Sequence, residues 1–145
     1  MAKNKKDVSS LLALLEEMTK DKDALIKYNM GQVPDEEVRN VQNETGIDLS
    51  NYNRSIDSYA INHVLGNHGN PKTEAKRGQI AVELSDFELI SLITSSPDKI
   101  EYVGKNGSGR DLIKYIKKIG HNIHYVEEVR NGKKEVVLQT LFKQK

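Results

Sequence analysis

A chain of 145 residues holds one domain with at most a short appendage, and 37% hydrophobic against 30% charged residues lets it bury one modest core, while 6% aromatics exclude a wide stacking surface. Cysteine is absent, which excludes disulfides, thiolate zinc sites and a cysteine nucleophile, and no apolar run approaches the ~20 residues that span a bilayer, so a cytoplasmic protein without membrane contact is expected. The formal net charge is +1, yet residues 1–60 hold 8 Lys and Arg against 11 Asp and Glu whereas 99–145 hold 11 against 5, a basic part that suits either nucleic acid or a solvated, Lys-rich sheet edge.

The start at 1–7 is basic but leads into an amphipathic pattern rather than a signal core. Over residues 7–20, Val8, Leu11, Leu12, Leu14, Leu15 and Met18 recur at helical spacing, with Asp7 or Ser9 placed to cap. A second helix is expected over 24–30, stopped by Gly31. Pro34 followed by three acids opens a third, because proline suits the first helical position and acids suit the positive helix N-terminus; Gly46 closes it. Segments this short are not stable alone. Residues 1–46 therefore form a helical N-terminal appendage packed on the rest, 47–145.

Asn51 and Asn53 mark a turn before a helix over 55–65, one side of which carries Ile56, Tyr59, Ala60 and His63. Gly66 and Gly69 bracket His68, placing it in a loop or at the helix C-terminal end. Ser85 and Glu88 make a capping box ahead of Phe87, Leu89, Ile90, Leu92 and Ile93, and Pro97 ends that helix.

Beyond Pro97 the period changes. Runs at 100–103, 112–119, 123–129 and 135–142 are β-branched or aromatic-rich and separated by Gly-containing turns, which predicts a four-stranded antiparallel meander and an α+β fold. Asn131-Gly132 predicts a tight hairpin with positive φ at both central residues. Parity across that hairpin puts Ile123, Tyr125, Glu127, Val129, Val136, Leu138, Thr140 and Phe142 on one face. His124, Val126, Glu128, Arg130, Glu135, Val137, Gln139, Leu141 and Lys143 share the other. The first face is more apolar and should take the helices, leaving the second to solvent or substrate.

His63 and His68 are the natural candidates for chemistry, because imidazole both accepts and gives a proton near neutral pH. Five apart on a helix they stand roughly 140° from each other, unlike the four-apart pair of a zinc protease helix, and no Glu lies between them, so no metal site is expected. His63 could equally be a core imidazole satisfied by a backbone carbonyl or by Glu127. His68 precedes Glu74, Lys76 and Arg77, whose adjacent cations suit a phosphate.

The order His63-Val-Leu-Gly-Asn-His68-Gly69, then Glu74 and Arg77-Gly78-Gln79, Pro97-Asp98-Lys99-Ile100, Tyr125-Val-Glu-Glu-Val129 and Thr140-Leu-Phe-Lys143 resembles the phage-borne barnase/EndoU/colicin/RelE-like nucleases. The resemblance spans about residues 47–143. It implies helices packed on a four-stranded antiparallel meander (the fold shared by that family), RNA and often transfer RNA as substrate, and a phage or immunity protein as partner. It also implies His63, His68, Thr140 and Lys143 as catalytic residues, with Lys76, Arg77, Glu128 and Gln139 around the substrate.

Such a site needs neither metal nor cofactor. A base takes the ribose 2′-OH proton, the oxygen attacks phosphorus, and an acid protonates the leaving 5′-oxygen, giving a 2′,3′-cyclic phosphate. His63 is the preferred acid or base, Lys143 the charge stabiliser and Thr140 a donor to a non-bridging oxygen; should His63 and Lys143 lie apart, His124 inherits the role. The alternatives are a catalytically silent RNA-binding module of the same fold, or an interaction protein docking a phage or host partner through its acidic N-terminal helices.

Overall fold

The computed structural model describes residues 5–21 and 23–145, so the first four residues of the basic start lie outside it. Strand β1 (Lys5–Val8) leads into helix α1 (Leu11–Lys20), capped by Ser10, whose Oγ accepts from Ala13 N at 3.1 Å. The cap falls on Ser10 rather than on Asp7 or Ser9. Leu14 is fully buried, and Leu11, Leu15 and Met18 pack beside it, the stripe its spacing predicts.

The helix expected over 24–30 is absent. Leu25–Gln32 is strand β2, paired parallel with β1 and antiparallel with β3 (Asn53–Asp57). A seven-residue apolar pattern fits either period, and here Ile26, Tyr28 and Met30 alternate inward, so pairing on both sides decides for the strand. The segment to residue 46, expected as helical, thus supplies two strands of the sheet. Helix α2 (Asp35–Thr45) follows Pro34 and ends at Gly46 in the left-handed conformation (φ 79°), as its three leading acids and closing glycine predict.

β3 occupies the first positions of the helix expected over 55–65. Helix α3 (Ser58–His68) starts only at Ser58, where Asp57 Oδ1 accepts from Ala60 N at 2.8 Å. Ser58 Oγ accepts from Ile26 N at 2.9 Å, fixing the helix start against β2. Helix α4 (Pro71–Lys76), strand β4 (Gln79–Ile80), a 3-10 turn (Leu84–Leu89) and helix α5 (Ile90–Ser95) complete the middle of the chain. The capping box there is Glu83 with Asp86, not Ser85 with Glu88: Glu83 N donates to Asp86 Oδ2 at 2.7 Å.

Strands β5 (Lys99–Lys105), β6 (Asp111–Ile119), β7 (His121–Arg130) and β8 (Glu135–Gln144) pair antiparallel in chain order. The sheet is nevertheless not the expected four-stranded meander. It has eight strands, ordered β1-β2-β3-β8-β7-β6-β5 with β4 also on β8, and is mixed, because β3 joins β8 in parallel. β8 had no free edge to give at either end, and α3 packs beside it between the β3 and β4 pairings. The β7–β8 connection is a short 3-10 turn (Asn131–Lys133) with the positive φ at Lys134 rather than at Asn131 and Gly132; Tyr52 Oη donates to Asn131 Oδ1 at 2.6 Å.

The hairpin parity holds from Arg130↔Glu135 to Glu127↔Leu138, then slips. The next pair is Val126↔Thr140, so Gln139 is an extra residue, a β-bulge. Every later side chain of β8 changes face. Leu141 (opposite Tyr125) and Lys143 (opposite Ile123) turn to the helix-packed side, whereas Thr140 and Phe142 (opposite His124) turn to the outer one. The helix-packed face buries Ile113, Tyr115, Ile123, Tyr125, Val129, Val136 and Leu141 against Phe87, Ile90 and Ile93. Each such aliphatic side chain contributes roughly 1.5–3 kcal/mol. Among the described residues no helix is long and apolar enough to cross a membrane.

Buried in this core is one cation. Arg54 of β3 is 4% exposed and donates to Glu127 at 2.9 and 3.3 Å, to Glu37 at 2.6 Å, and at 3.3 Å each to Thr94 and Tyr115. Glu127 also accepts from Tyr115 Oη at 2.6 Å and Tyr125 Oη at 3.0 Å. Burial works most strongly against the Arg54 charge, but Glu127 together with the Tyr115 and Tyr125 hydroxyls outweighs it and holds the guanidinium well above its ordinary pKa.

Candidate active site

On the outer face, next to the inward Glu127, stands Glu128. It lines a pocket of about 210 Å³ with Asp57, Tyr59, His63, Arg130 and Gln139. The fold brings these together simply: alternation on β7 turns Glu128 away from Glu127, the bulge holds Gln139, and the Asp57 cap aims α3 so that Tyr59 and His63, four apart, share one stripe. The two rings stack at 6.3 Å, and Asn67 lies 3.1 Å from His63 Nε2. His63 is exposed, which removes the core-imidazole alternative and with it a bond to Glu127.

Three donors hold Glu128: Arg130 Nε at 2.6 Å, Arg110 Nη1 at 3.0 Å and Asn106 Nδ2. Asn106 also reaches Gln139 Oε1 at 3.4 Å. The β5–β6 turn is built to present these groups, since Asn106 Oδ1 accepts from Ser108 N and Arg110 N, and Gly109 supplies a positive φ of 75°. Burial pushes the Glu128 carboxyl up, yet the hydrogen bonds from Arg130, Asn106 and Arg110 outweigh it and hold it below the ordinary carboxylate value. The pocket therefore combines an ionised carboxylate, an imidazole and the Arg130 guanidinium, with Arg110 bound to the carboxylate from beside it, the groups an acid, a base and an anion clamp require.

A second cluster lies further along α3. His68 Nδ1 is 3.1 Å from Glu74 Oε2, Glu74 is fully buried, and Arg77 Nη1 donates to Glu74 Oε1 at 3.0 Å. Asn70 caps α4, with Pro71 at its first position, and so fixes Glu74 one turn on. Phe142 stands between His68 at 5.7 Å and His124 at 4.5 Å. Burial, with Lys114 beside it, pushes His124 below its ordinary pKa, and its Nδ1 has no hydrogen-bond partner among the described residues.

Of the residues expected at the site, His63, Glu128 and Gln139 line one pocket, and Thr140 follows on the outer face opposite Val126. His68 and Arg77 meet instead at Glu74, and Lys76 is exposed on α4. Lys143, expected on the open face, is turned by the bulge to the helix-packed side, where its Nζ pairs with Asp86 at 2.9 Å. His63 and Lys143 are not brought together, yet the role expected to pass to His124 does not, because that imidazole is buried and stacked on Phe142 while His63 stays exposed beside Glu128. Asn106, Arg110, Arg130, Asp57 and Tyr59 went unnoticed as site residues, although a Gly-rich turn closing on a cation, Asn106-Gly-Ser-Gly-Arg110, is a readable signal. Among the described residues no three His, Asp or Glu side chains converge as metal ligands.

A family model described as phage-Barnase-EndoU-ColicinE5/D-RelE like nuclease3 matches residues 31–145, from within β2 through β8. No curated protein and no solved structure matches the chain.

Proposed function

Since the chain belongs to the phage-Barnase-EndoU-ColicinE5/D-RelE like nuclease3 family, we propose that it is an endoribonuclease that cleaves RNA, transfer RNA included, without a metal. The observation that carries this reading is the shared pocket of His63 and Glu128, with Arg110 and Arg130 bound to the carboxylate. Glu128 takes the proton of a ribose 2′-OH as that oxygen bonds to phosphorus. The bond from phosphorus to the 5′-oxygen breaks, and His63 supplies the proton the leaving oxygen needs. The products are a 2′,3′-cyclic phosphate and a free 5′-OH. Arg110 and Arg130, released from Glu128 as the phosphate enters, face the charge that develops on its oxygens, and Thr140 and Gln139 offer hydrogen bonds from the same face. Guanidiniums suit this part because their fork matches two phosphate oxygens at once. No part is proposed for Lys143, which Asp86 holds on the other side.

The test is incubation of purified protein with a total RNA pool in EDTA, followed by mass spectrometry of the new ends. Cyclic-phosphate ends in chelator are expected. Cleavage that vanishes with chelator overturns the metal-free mechanism, and binding without any cleavage favours a silent RNA-binding module.

A further inference from the structure

His63, Tyr59 and Asp57 line not one pocket but two. Beside the first lies an open cavity of about 570 Å³, lined also by Asp23, Ala24, Leu25, Ser58 and Asn62. The two spaces differ in size and in the charged groups that line them. At about 210 Å³ the first falls below the ~300–1,000 Å³ of small-molecule pockets and suits a phosphate group, whereas the second lies within that range. The first sets Arg130 beside the carboxylates Asp57 and Glu128. Among the described residues the second is lined by two carboxylates, Asp23 and Asp57, and no cation, which disfavours a phosphate there and favours a neutral group that brings N–H donors. At the saddle between them stands Tyr59, 74% exposed, its ring stacked on His63.

Building on the proposed nuclease function, we propose that this second cavity is a nucleobase subsite for the nucleotide on the leaving side of the cut, with Tyr59 as its stacking residue and guanine as its preferred base. The polarity follows from His63. The group that protonates the leaving 5′-oxygen touches the downstream nucleotide, and the space beyond His63, away from Glu128, is this cavity. An aromatic ring at 74% exposure has little to gain from the protein itself but offers one face to a base. The base edge then meets Asp57. One Asp57 oxygen caps α3, accepting from Ala60 N at 2.8 Å, and the other has no partner among the described residues. Guanine alone presents two adjacent N–H groups on its pairing edge, the donors a carboxylate accepts best. Ser58 takes no part, because its hydroxyl is committed to Ile26 N and to Ala24 O.

The experiment uses dinucleotides made non-cleavable by a 2′-deoxy first sugar: UpG, UpA, UpC and UpU, titrated into the intact protein by calorimetry. UpG should bind most tightly, and Tyr59→Ala should weaken it roughly 5- to 150-fold, the range for loss of one stacked base. Asp57→Asn keeps a good helix cap while removing the charge, so it should erase the UpG preference without unfolding the protein. Equal binding of the four dinucleotides, or a UpG affinity unmoved by Tyr59→Ala, overturns the subsite. Sequencing of cleaved RNA separates this inference from the reading beneath it. Cuts ahead of guanine that become unselective in Asp57→Asn support the subsite, and unselective cuts by the wild type overturn it while leaving the nuclease function standing. Selective UpG binding by a protein that cleaves no RNA supports the subsite and overturns the nuclease function.

Discussion

Replacing Arg54 with Met would remove five hydrogen bonds and strand Glu127, which is fully buried, without its cation. Breaking a buried ion pair from one side costs about 3–5 kcal/mol, a large part of the ~5–15 kcal/mol that holds a domain together. At an m-value of about 2 kcal/mol/M, the urea midpoint at pH 7 should fall by about 2 M. Arg54→Met combined with Glu127→Gln leaves a neutral amide that the Tyr115 and Tyr125 hydroxyls still serve, and should regain more than half of that loss even though Glu37 stays without its partner. Cleavage per folded molecule should fall too, since Glu127 faces the core and its neighbour Glu128 faces the pocket, so the anchor of one positions the other. A midpoint shift below about 0.5 M for Arg54→Met, or a double variant as unstable as the two singles added, would refute the assignment of Arg54 as the counter-charge of Glu127.

His63→Ala should lower RNA cleavage by about 10²–10⁴ while leaving the circular-dichroism melt unchanged, because the side chain is exposed. Glu128→Gln should cut turnover similarly, and unchanged turnover in either variant removes that residue from the mechanism. Lys143→Ala should do the reverse: it strands the largely buried Asp86, costs roughly 1–3 kcal/mol in chemical denaturation, and leaves turnover per folded molecule alone. His124 is neutral in the fold at a pH where the free imidazole, with a pKa of about 6.5, has begun to charge; the unfolded chain then binds more protons, so its contribution is complete above that value and is lost as pH falls toward the lowered folded value. Melting temperature should therefore drop below about pH 6.5, and His124→Phe, which can still stack on Phe142, should flatten that drop.

Helix α2 was legible because each end carries its own chemistry, Pro34 with three acids at the start and Gly46 at the close. The four strands after Pro97 were legible from their β-branched runs. β2 was not: over so few residues the apolar pattern of Leu25, Ile26, Tyr28 and Met30 fits a helix as well as a strand, and the deciding partners, β1 and β3, are distant in sequence or hidden in a segment that itself looked helical. At the site, His63, Glu128 and Gln139 could be named from the sequence, but Lys143 could not be placed. Nothing near Gln139 announces a bulge, neither glycine nor proline, and one unpaired residue reverses the face of all that follow. Arg54 carried no signal at all, because charge on a short strand gives no sign of the carboxylate that will meet it.

β8 gathers three other strands: Arg54↔Val136 from β3, Gln79↔Gln144 from β4 and nearly all of β7 close on its ten residues. The β3 and β4 contacts lie far apart along the chain and form late and slowly, because loop closure must precede them, whereas β7 and β8 are joined by a short turn. The pocket draws on the same strand for Gln139, on β3 for the residue that aims α3, and on β7 for Glu128. The pocket is therefore complete only once β3 has docked on β8, the step that depends on those distant contacts.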